Sequence, residues 1–133
     1  MCTVAKLRIL FVDSDAYTRG KMQKTLESAF DIACVASLSD AKQQLEAHPP
    51  DMLISEVLIG DESGLSLCTY VRNTEKLQKL PIMLLTSMST IYDKVAGFQA
   101  GADDYVVKPF DSVHLISRVK LLARIKHLEP HIS

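Results

Sequence analysis

Four polar residues each end an apolar run, and their side chains could together bind a metal ion and a phosphoryl group. They are Asp13, Glu56, Thr86 and Lys108. Two carboxylates could hold a hard cation such as Mg²⁺, while a hydroxyl and an ammonium group could bind phosphoryl oxygens. Each residue alone has an ordinary interpretation, as a helix cap, a solvated turn or a surface lysine. Four such residues at the ends of four separate runs favour a shared site.

The apolar runs are short and bounded by turn-forming residues, which is typical of strands buried on both faces. Stretches with helical spacing of apolar residues separate them, and the connections are short. This alternation predicts a parallel sheet with right-handed crossovers and helices on both faces. The carboxyl ends of parallel strands share one edge, so the four polar side chains should converge there. The predicted strands are residues 7–12, 32–36, 51–56, 82–85 and 104–107.

Two of the helical patterns carry signals that the structure can check. The first helix has a candidate N-cap in Ser14 or Asp15. The fourth, from about residue 90 to residue 100, ends at Gly101, a residue type that commonly closes helices. Its apolar residues at helical spacing are Ile91, Val95 and Phe98.

The composition is that of one ordinary globular domain. The chain has 133 residues, 47% of them hydrophobic and 23% charged, with a net charge of −1. This balance argues against a general binder of nucleic acid or membrane surfaces. With no membrane-length apolar run and no signal-peptide pattern, we expect a cytoplasmic protein. Cys2, Cys34 and Cys68 lack metal-ligand spacing and indicate reduced thiols. Residues 1–126 form the predicted domain, and residues 127–133 a tail or the start of a linker.

Four segments of the chain resemble the receiver domain of two-component response regulators. They are ILFVDSD (9–15), PDMLISEV (50–57), LLTS (84–87) and GADDYVVKPF (101–110). The last is the most specific, because it joins a glycine, an aromatic residue, a lysine and a proline in one run. The resemblance covers residues 7 to about 126. It implies an α/β, doubly wound, five-stranded parallel sheet in the order 2-1-3-4-5, a flavodoxin-like three-layer sandwich.

The resemblance also implies a phosphorylation site. Glu56 falls where the family has its phosphoacceptor aspartate, and Asp13, Ser14 and Asp15 form the acidic pocket. In the family, a histidine kinase supplies the phosphoryl group, and Mg²⁺ bridges that group to the acidic residues.

Three further residues match the family's switch. Thr86 and Lys108 correspond to the residues that bind phosphoryl oxygens, and Tyr105 corresponds to the aromatic residue that changes rotamer. The face made by the last two helices and the fifth strand then changes partners. The bond between Lys108 and Pro109 is expected to be cis.

Three residues depart from the family at the phosphorylation site. Glu56 is one methylene longer than aspartate, a shift of about 1.5 Å where catalytic geometry tolerates about 0.5 Å. Ser14 removes a carboxylate from a site where Mg²⁺ needs near-ideal octahedral ligands. Gly60 replaces a common proline and should loosen its loop.

We therefore predict a pseudo-receiver that works without phosphorylation. Only a degenerate metal site of Asp13 and Glu56 remains, so we expect no cofactor and weak or absent Mg²⁺ binding. With no acidic metal ligand at position 14, Lys108 should pair directly with Glu56.

Other functions fit the sequence less well. A phosphorylatable receiver with an introduced phosphomimic at Glu56 is one alternative, but a phosphomimic does not require the loss of acid at Ser14. Residues 13–15 match the D-x-D core of haloacid-dehalogenase-type aspartyl phosphotransferases, whereas residues 16–17 do not continue that motif. A flavin site would need a Ser/Thr/Gly-rich phosphate loop, and this loop is acidic. A scaffold without a switching role is the remaining alternative. We predict that the chain is not an enzyme.

The predicted function is a protein-interaction module in signal transduction and transcription regulation. Its expected partners are a histidine kinase or another regulatory protein, and no membrane. A homodimer is expected to use the last two helices and the fifth strand, with Asp103, Asp104 and Arg118 pairing across a two-fold axis. HLISRV (114–119) resembles receivers that carry a winged-helix DNA-binding domain, so we expect an output domain beyond residue 133.

Overall fold

The computed structural model describes residues 6–128 as strands that alternate with helices. Cys2 and most of the predicted tail, residues 129–133, lie outside the described residues. The elements in chain order are β1 Arg8–Val12, α1 Ala16–Leu26, β2 Asp31–Val35, α2 Leu38–Ala47, β3 Met52–Ser55, β4 Leu58–Ile59, β5 Glu62–Ser63, α3 Gly64–Asn73, a 3₁₀ turn Glu75–Leu77, β6 Ile82–Thr86, α4 Ile91–Ala100, β7 Asp104–Val107 and α5 Ser112–Ile125.

Five of the strands form one parallel sheet in the order β2-β1-β3-β6-β7. If only these five are counted, this is the predicted order 2-1-3-4-5. Val12 lies beside Ser55, and Thr86 lies beside Val107. The carboxyl ends of β1 and β3 are therefore in register, and so are those of β6 and β7. The predicted α/β fold class and topology are confirmed.

Alternate residues of the central strands face two separate apolar cores, because helices cover both faces of the sheet. In β1, Ile9 and Phe11 pack with residues of α1 and α5. Leu10 and Val12 pack on the opposite face with residues of α2 and α3. All four side chains are 2% exposed or less. This double burial explains why the strand sequences are continuous apolar runs.

A short antiparallel hairpin follows β3, and the sequence patterns do not predict it. Leu58 pairs with Ser63, and Ile59 pairs with Glu62. Each arm has only two residues, too few to show the alternation that marks a strand. Gly60, in the turn, has a φ of 63°, in the left-handed region that favours glycine. Gly60 therefore shapes a defined turn, and the looser loop stays a prediction.

Helix α4 turns its apolar stripe outward. Its closest approach to the sheet is at Gly97, where a Cβ would lie 2.9 Å from the Tyr105 ring and 3.0 Å from Leu84. The helical spacing therefore marks a surface stripe and not a face packed on the core. The stripe residues, with exposures of 66%, 44% and 48%, are Ile91, Val95 and Phe98.

The helix caps settle the alternatives that the sequence left open. Asp15, and not Ser14, caps α1, because its carboxylate accepts hydrogen bonds from the hydroxyl and the N–H of Thr18. These bonds, with that from the hydroxyl foremost, hold the pKa of Asp15 below its usual value. Helix α4 ends at Gly101 as predicted, with a φ of 118°.

Candidate functional site at the carboxyl edge of the sheet

The four strand-end residues lie at the same edge of the sheet, as predicted. Asp13 follows β1, Glu56 follows β3, Thr86 ends β6 and Lys108 follows β7. The N–H of Glu56 donates to the carbonyl of Val12 at 2.9 Å, and the N–H of Lys108 donates to the carbonyl of Thr86 at 2.8 Å. Asp13, Glu56 and Thr86 are buried. Their polar atoms therefore need partners within the protein.

Lys108 contacts both buried carboxylates. Its Nζ lies 3.1 Å from Glu56 Oε1 and 3.6 Å from Asp13 Oδ2. The expected contact between Lys108 and Glu56 is therefore present. A charge-assisted bond of this kind contributes about 1.5–3 kcal/mol before desolvation is subtracted. The lysine side chain is 26% exposed, so solvent screening reduces that figure.

The remaining carboxylate oxygens bind main-chain N–H groups. Glu56 Oε2 accepts hydrogen bonds from Val57 and, at 3.1 Å, from Leu58. Asp13 Oδ1 accepts one from Asp15 at 2.9 Å. All four oxygens of the two carboxylates therefore have partners within the chain. Mg²⁺, which needs near-ideal octahedral oxygen ligands, would have to compete with these partners for the oxygens. Within residues 6–128, no group of three or more His, Cys, Asp or Glu side chains could hold a metal.

Ser14 bonds to the hairpin that follows β3. Its Oγ accepts a hydrogen bond from the N–H of Gly60 at 3.0 Å. Ser14 and Gly60 both replace residues that are common in the family, and they lie 46 residues apart in the sequence. The fold places them in direct contact.

Tyr105 lies inward, beneath the loop that follows β6. It is 7% exposed, and its hydroxyl donates to the carbonyl of Met88 at 2.7 Å. Burial raises the pKa of Tyr105, and the nearby carboxylates of Asp93 and Glu56 raise it further. Thr86 Oγ1 accepts a long hydrogen bond, 3.4 Å, from the N–H of Met88. Met88 thus links two predicted switch residues, and its main-chain contacts leave no signal in the sequence.

The charges expected to pair between two copies pair within one chain. Arg118 contacts both oxygens of Asp104, at 2.9 Å through Nε. Asp103 contacts Arg72 and Lys126, each at 3.0 Å. Within one chain these residues therefore already have ion-pair partners, and pairing across a two-fold axis stays a prediction. The start of β7 lies beside α3 and α5, and basic side chains in and just after these helices reach Asp103 and Asp104.

Comparison with known proteins identifies the family. Residues 9–120 match the response regulator receiver domain family. The chain belongs to this family. The receiver domain is 38% identical over 117 residues to the transcriptional regulatory protein GltR of Pseudomonas aeruginosa, covering 87% of this chain and 48% of that protein. It is 32% identical over 118 residues to the phosphate regulon transcriptional regulatory protein PhoB of Rhizobium meliloti, covering 88% and 52%. The chain spans about half the length of these curated relatives.

Solved structures share the fold of this receiver domain. A candidate response regulator from Chloroflexus aurantiacus J-10-fl aligns with a TM-score of 0.85 at 37% identity, covering 90% of this chain and 98% of that one. The signal receiver domain of a signal transduction histidine kinase from Syntrophus aciditrophicus gives 0.83 at 30% identity, covering 96% and 97%. These matches confirm the family resemblance. Within residues 6–128, no helix is long and apolar enough to cross a membrane.

We expect millimolar Mg²⁺ to leave the melting temperature of the receiver domain unchanged. Binding would have to displace Lys108 and main-chain N–H groups from Asp13 and Glu56. A ligand present at 100 times its Kd would stabilise the fold by about 2.7 kcal/mol, a shift of several degrees. Melts with Mg²⁺ and with EDTA measure this, with Ser14→Asp as the matched variant that regains a carboxylate ligand. A rise of several degrees in the unmodified chain, absent in Ser14→Ala, would contradict the prediction.

Proposed function

We propose that this receiver domain is a pseudo-receiver, a protein-interaction switch that works without phosphorylation at position 56. The supporting observation is that Lys108 and main-chain N–H groups engage all four carboxylate oxygens of Asp13 and Glu56. A nucleophilic carboxylate would have to leave these partners, and Glu56 is one methylene too long for the family's geometry. The domain acts through contacts with other proteins and catalyses no reaction of its own.

The test of this proposal is intact-mass spectrometry after incubation with acetyl phosphate and Mg²⁺. We expect the unmodified chain to gain no phosphoryl group, because its carboxylates are held and its metal ligands are incomplete. Phosphorylation that peptide mapping assigns to Glu56, or to another residue of the cluster, would contradict the proposal.

The switch residues of the family persist in this chain and have internal partners. Lys108 contacts Glu56, and Tyr105 donates its hydroxyl hydrogen to Met88. We infer that these internal contacts hold the switch residues in the resting protein. Regulation would then come from partner binding and not from a phosphoryl group.

Protein partners have a candidate docking site beside the carboxyl edge. A groove of about 510 Å³ runs between α1 and the loop joining β7 to α5, with Lys108 in its lining. Tyr17, Lys21 and Phe110 give it mixed apolar and basic character. We propose that a histidine kinase or another regulatory protein contacts this groove.

An attached output domain fits the comparisons. GltR and PhoB are transcriptional regulatory proteins about twice as long as this chain. RpaA of Synechocystis, 30% identical over 118 residues, is a DNA-binding transcriptional regulator. We propose that the receiver domain regulates transcription through a DNA-binding domain that follows residue 133. We place this action in the cytoplasm, supported by the free thiols of Cys34 and Cys68.

Homodimerisation through α4, β7 and α5 is the remaining part of the proposal, and it predicts a charge-sensitive interface. Its support is the exposed apolar stripe on α4. Val95→Lys places a charge in the middle of that stripe and should shift a dimer to monomer in sedimentation, because burying an unpaired charge is costly. The control Gln43→Lys adds the same charge on α2. A dimer that both variants leave intact would exclude this interface.

A further inference from the structure

Two of the departures from the family form a hydrogen bond that the family's usual residues could not make. The N–H of Gly60 donates to Ser14 Oγ at 3.0 Å. A proline at position 60, the common family residue, would have no N–H to donate. It would also fix φ near −65°, whereas Gly60 has a φ of 63°. The contact therefore exists only because the proline is absent.

The hairpin β4–β5 is held at two further points. The N–H of Leu58, at its start, donates to Glu56 Oε2 at 3.1 Å. Glu62 Oε1, on the returning arm, accepts a hydrogen bond from the N–H of Leu38 at 3.3 Å. Leu38 is the first residue of α2. The hairpin is thus bonded to the end of β3, to the loop before α1 and to the start of α2.

We propose that Ser14 and Gly60 form a metal-free latch, defined as the hydrogen bond that joins the β1–α1 loop to the hairpin β4–β5. In the family, as described above, Mg²⁺ bridges the phosphoryl group and the acidic residues. Here a hydrogen bond joins the loops and needs neither. The latch holds the hairpin against Glu56 in the resting protein, and it does so whether or not Glu56 accepts a phosphoryl group.

The latch couples the two substitutions, so Ser14 and Gly60 act as a pair. This also bears on the alternative of an introduced phosphomimic. A single change to Glu56 would bring neither the serine acceptor nor the glycine donor. The pair of Ser14 and Gly60 is what we expect in a chain whose loops are joined without a bridging metal.

Hydrogen exchange of residues 58–63 tests the latch. Ser14→Ala removes the acceptor and should raise exchange in this segment about 2- to 12-fold, the range that a net hydrogen bond of about 0.5–1.5 kcal/mol gives. Ser117→Ala, which changes an exposed serine in the middle of α5, is the control and should leave the segment unchanged. An equal rate in the unmodified chain and in Ser14→Ala overturns the latch.

Substitutions at position 60 show whether Ser14→Ala raises exchange by removing this hydrogen bond or by loosening the hairpin in some other way. Gly60→Asn keeps the N–H and tolerates a left-handed φ, so Ser14→Ala should raise exchange in that background as it does in the unmodified chain. Gly60→Pro has no N–H, so Ser14→Ala should add nothing there. The latch is excluded if Ser14→Ala raises exchange in the Gly60→Pro background as much as in the unmodified chain. It is also excluded if Ser14→Ala leaves exchange unchanged in the Gly60→Asn background.

Discussion

The double variant Ser14→Asp/Glu56→Asp is expected to gain one phosphoryl group from acetyl phosphate, while the two single variants gain little. Glu56→Asp withdraws the carboxylate by about 1.5 Å, the length of one C–C bond, and restores the family's nucleophile. It leaves the metal under-liganded, and charge neutralisation by the metal carries much of phosphoryl transfer. Ser14→Asp restores the ligand but leaves the acceptor misplaced. Residues that act as a unit are non-additive, so the pair should exceed the sum of the single changes.

Intact-mass spectrometry on the four proteins under identical conditions measures this effect. A matched control is Ser117→Asp/Glu56→Asp, which adds the same charge at an exposed position in the middle of α5. An inert double variant would contradict the prediction. It would assign the block to the turn at Gly60 or to a blocked pocket, and not to the two lost carboxylate positions.

Gly64→Ala is expected to destabilise the receiver domain strongly. A Cβ at this position would lie 2.1 Å from the carbonyl oxygen of Glu56 and 3.1 Å from Ser55 Oγ. Ser55 and Glu56 are both buried, and a close-packed interior cannot absorb such an overlap. Overpacking of this kind costs about 1–3 kcal/mol, and a clash with main-chain atoms belongs at the upper end. The main chain that carries Glu56 would have to move.

Gly20→Ala is the matched control, because it adds the same methyl group to another helix. Gly20 lies in α1, and a Cβ there would meet nothing within 4 Å. Alanine favours the helix interior over glycine by about 0.5–1 kcal/mol, so this variant should gain stability. Urea unfolding of both variants gives the comparison. Equal effects would show that the approach of Gly64 to Glu56 does not constrain the fold.

The sequence by itself determined the fold class and the composition of the site. Continuous apolar runs that alternate with helical patterns leave a covered parallel sheet as the consistent architecture. Asp13, Glu56, Thr86 and Lys108 could be found because each ends a run, and parallel strands bring their carboxyl ends to one edge. The contact of Lys108 with Glu56 followed from that placement and their opposite charges.

The tertiary structure decided which groups those residues bind and which surfaces remain open. Helical spacing shows that α4 has an apolar stripe, but only the packing shows that nothing in the described chain covers it. Opposite charges at Asp104 and Arg118 could pair within a chain or between chains, and only the structure shows that they are in contact within one chain. Ser14 and Gly60 carry no common pattern in sequence. Their hydrogen bond exists because a two-residue hairpin turns the glycine N–H toward the serine, and a hydrogen bond depends on distance and direction, which residue types alone do not specify.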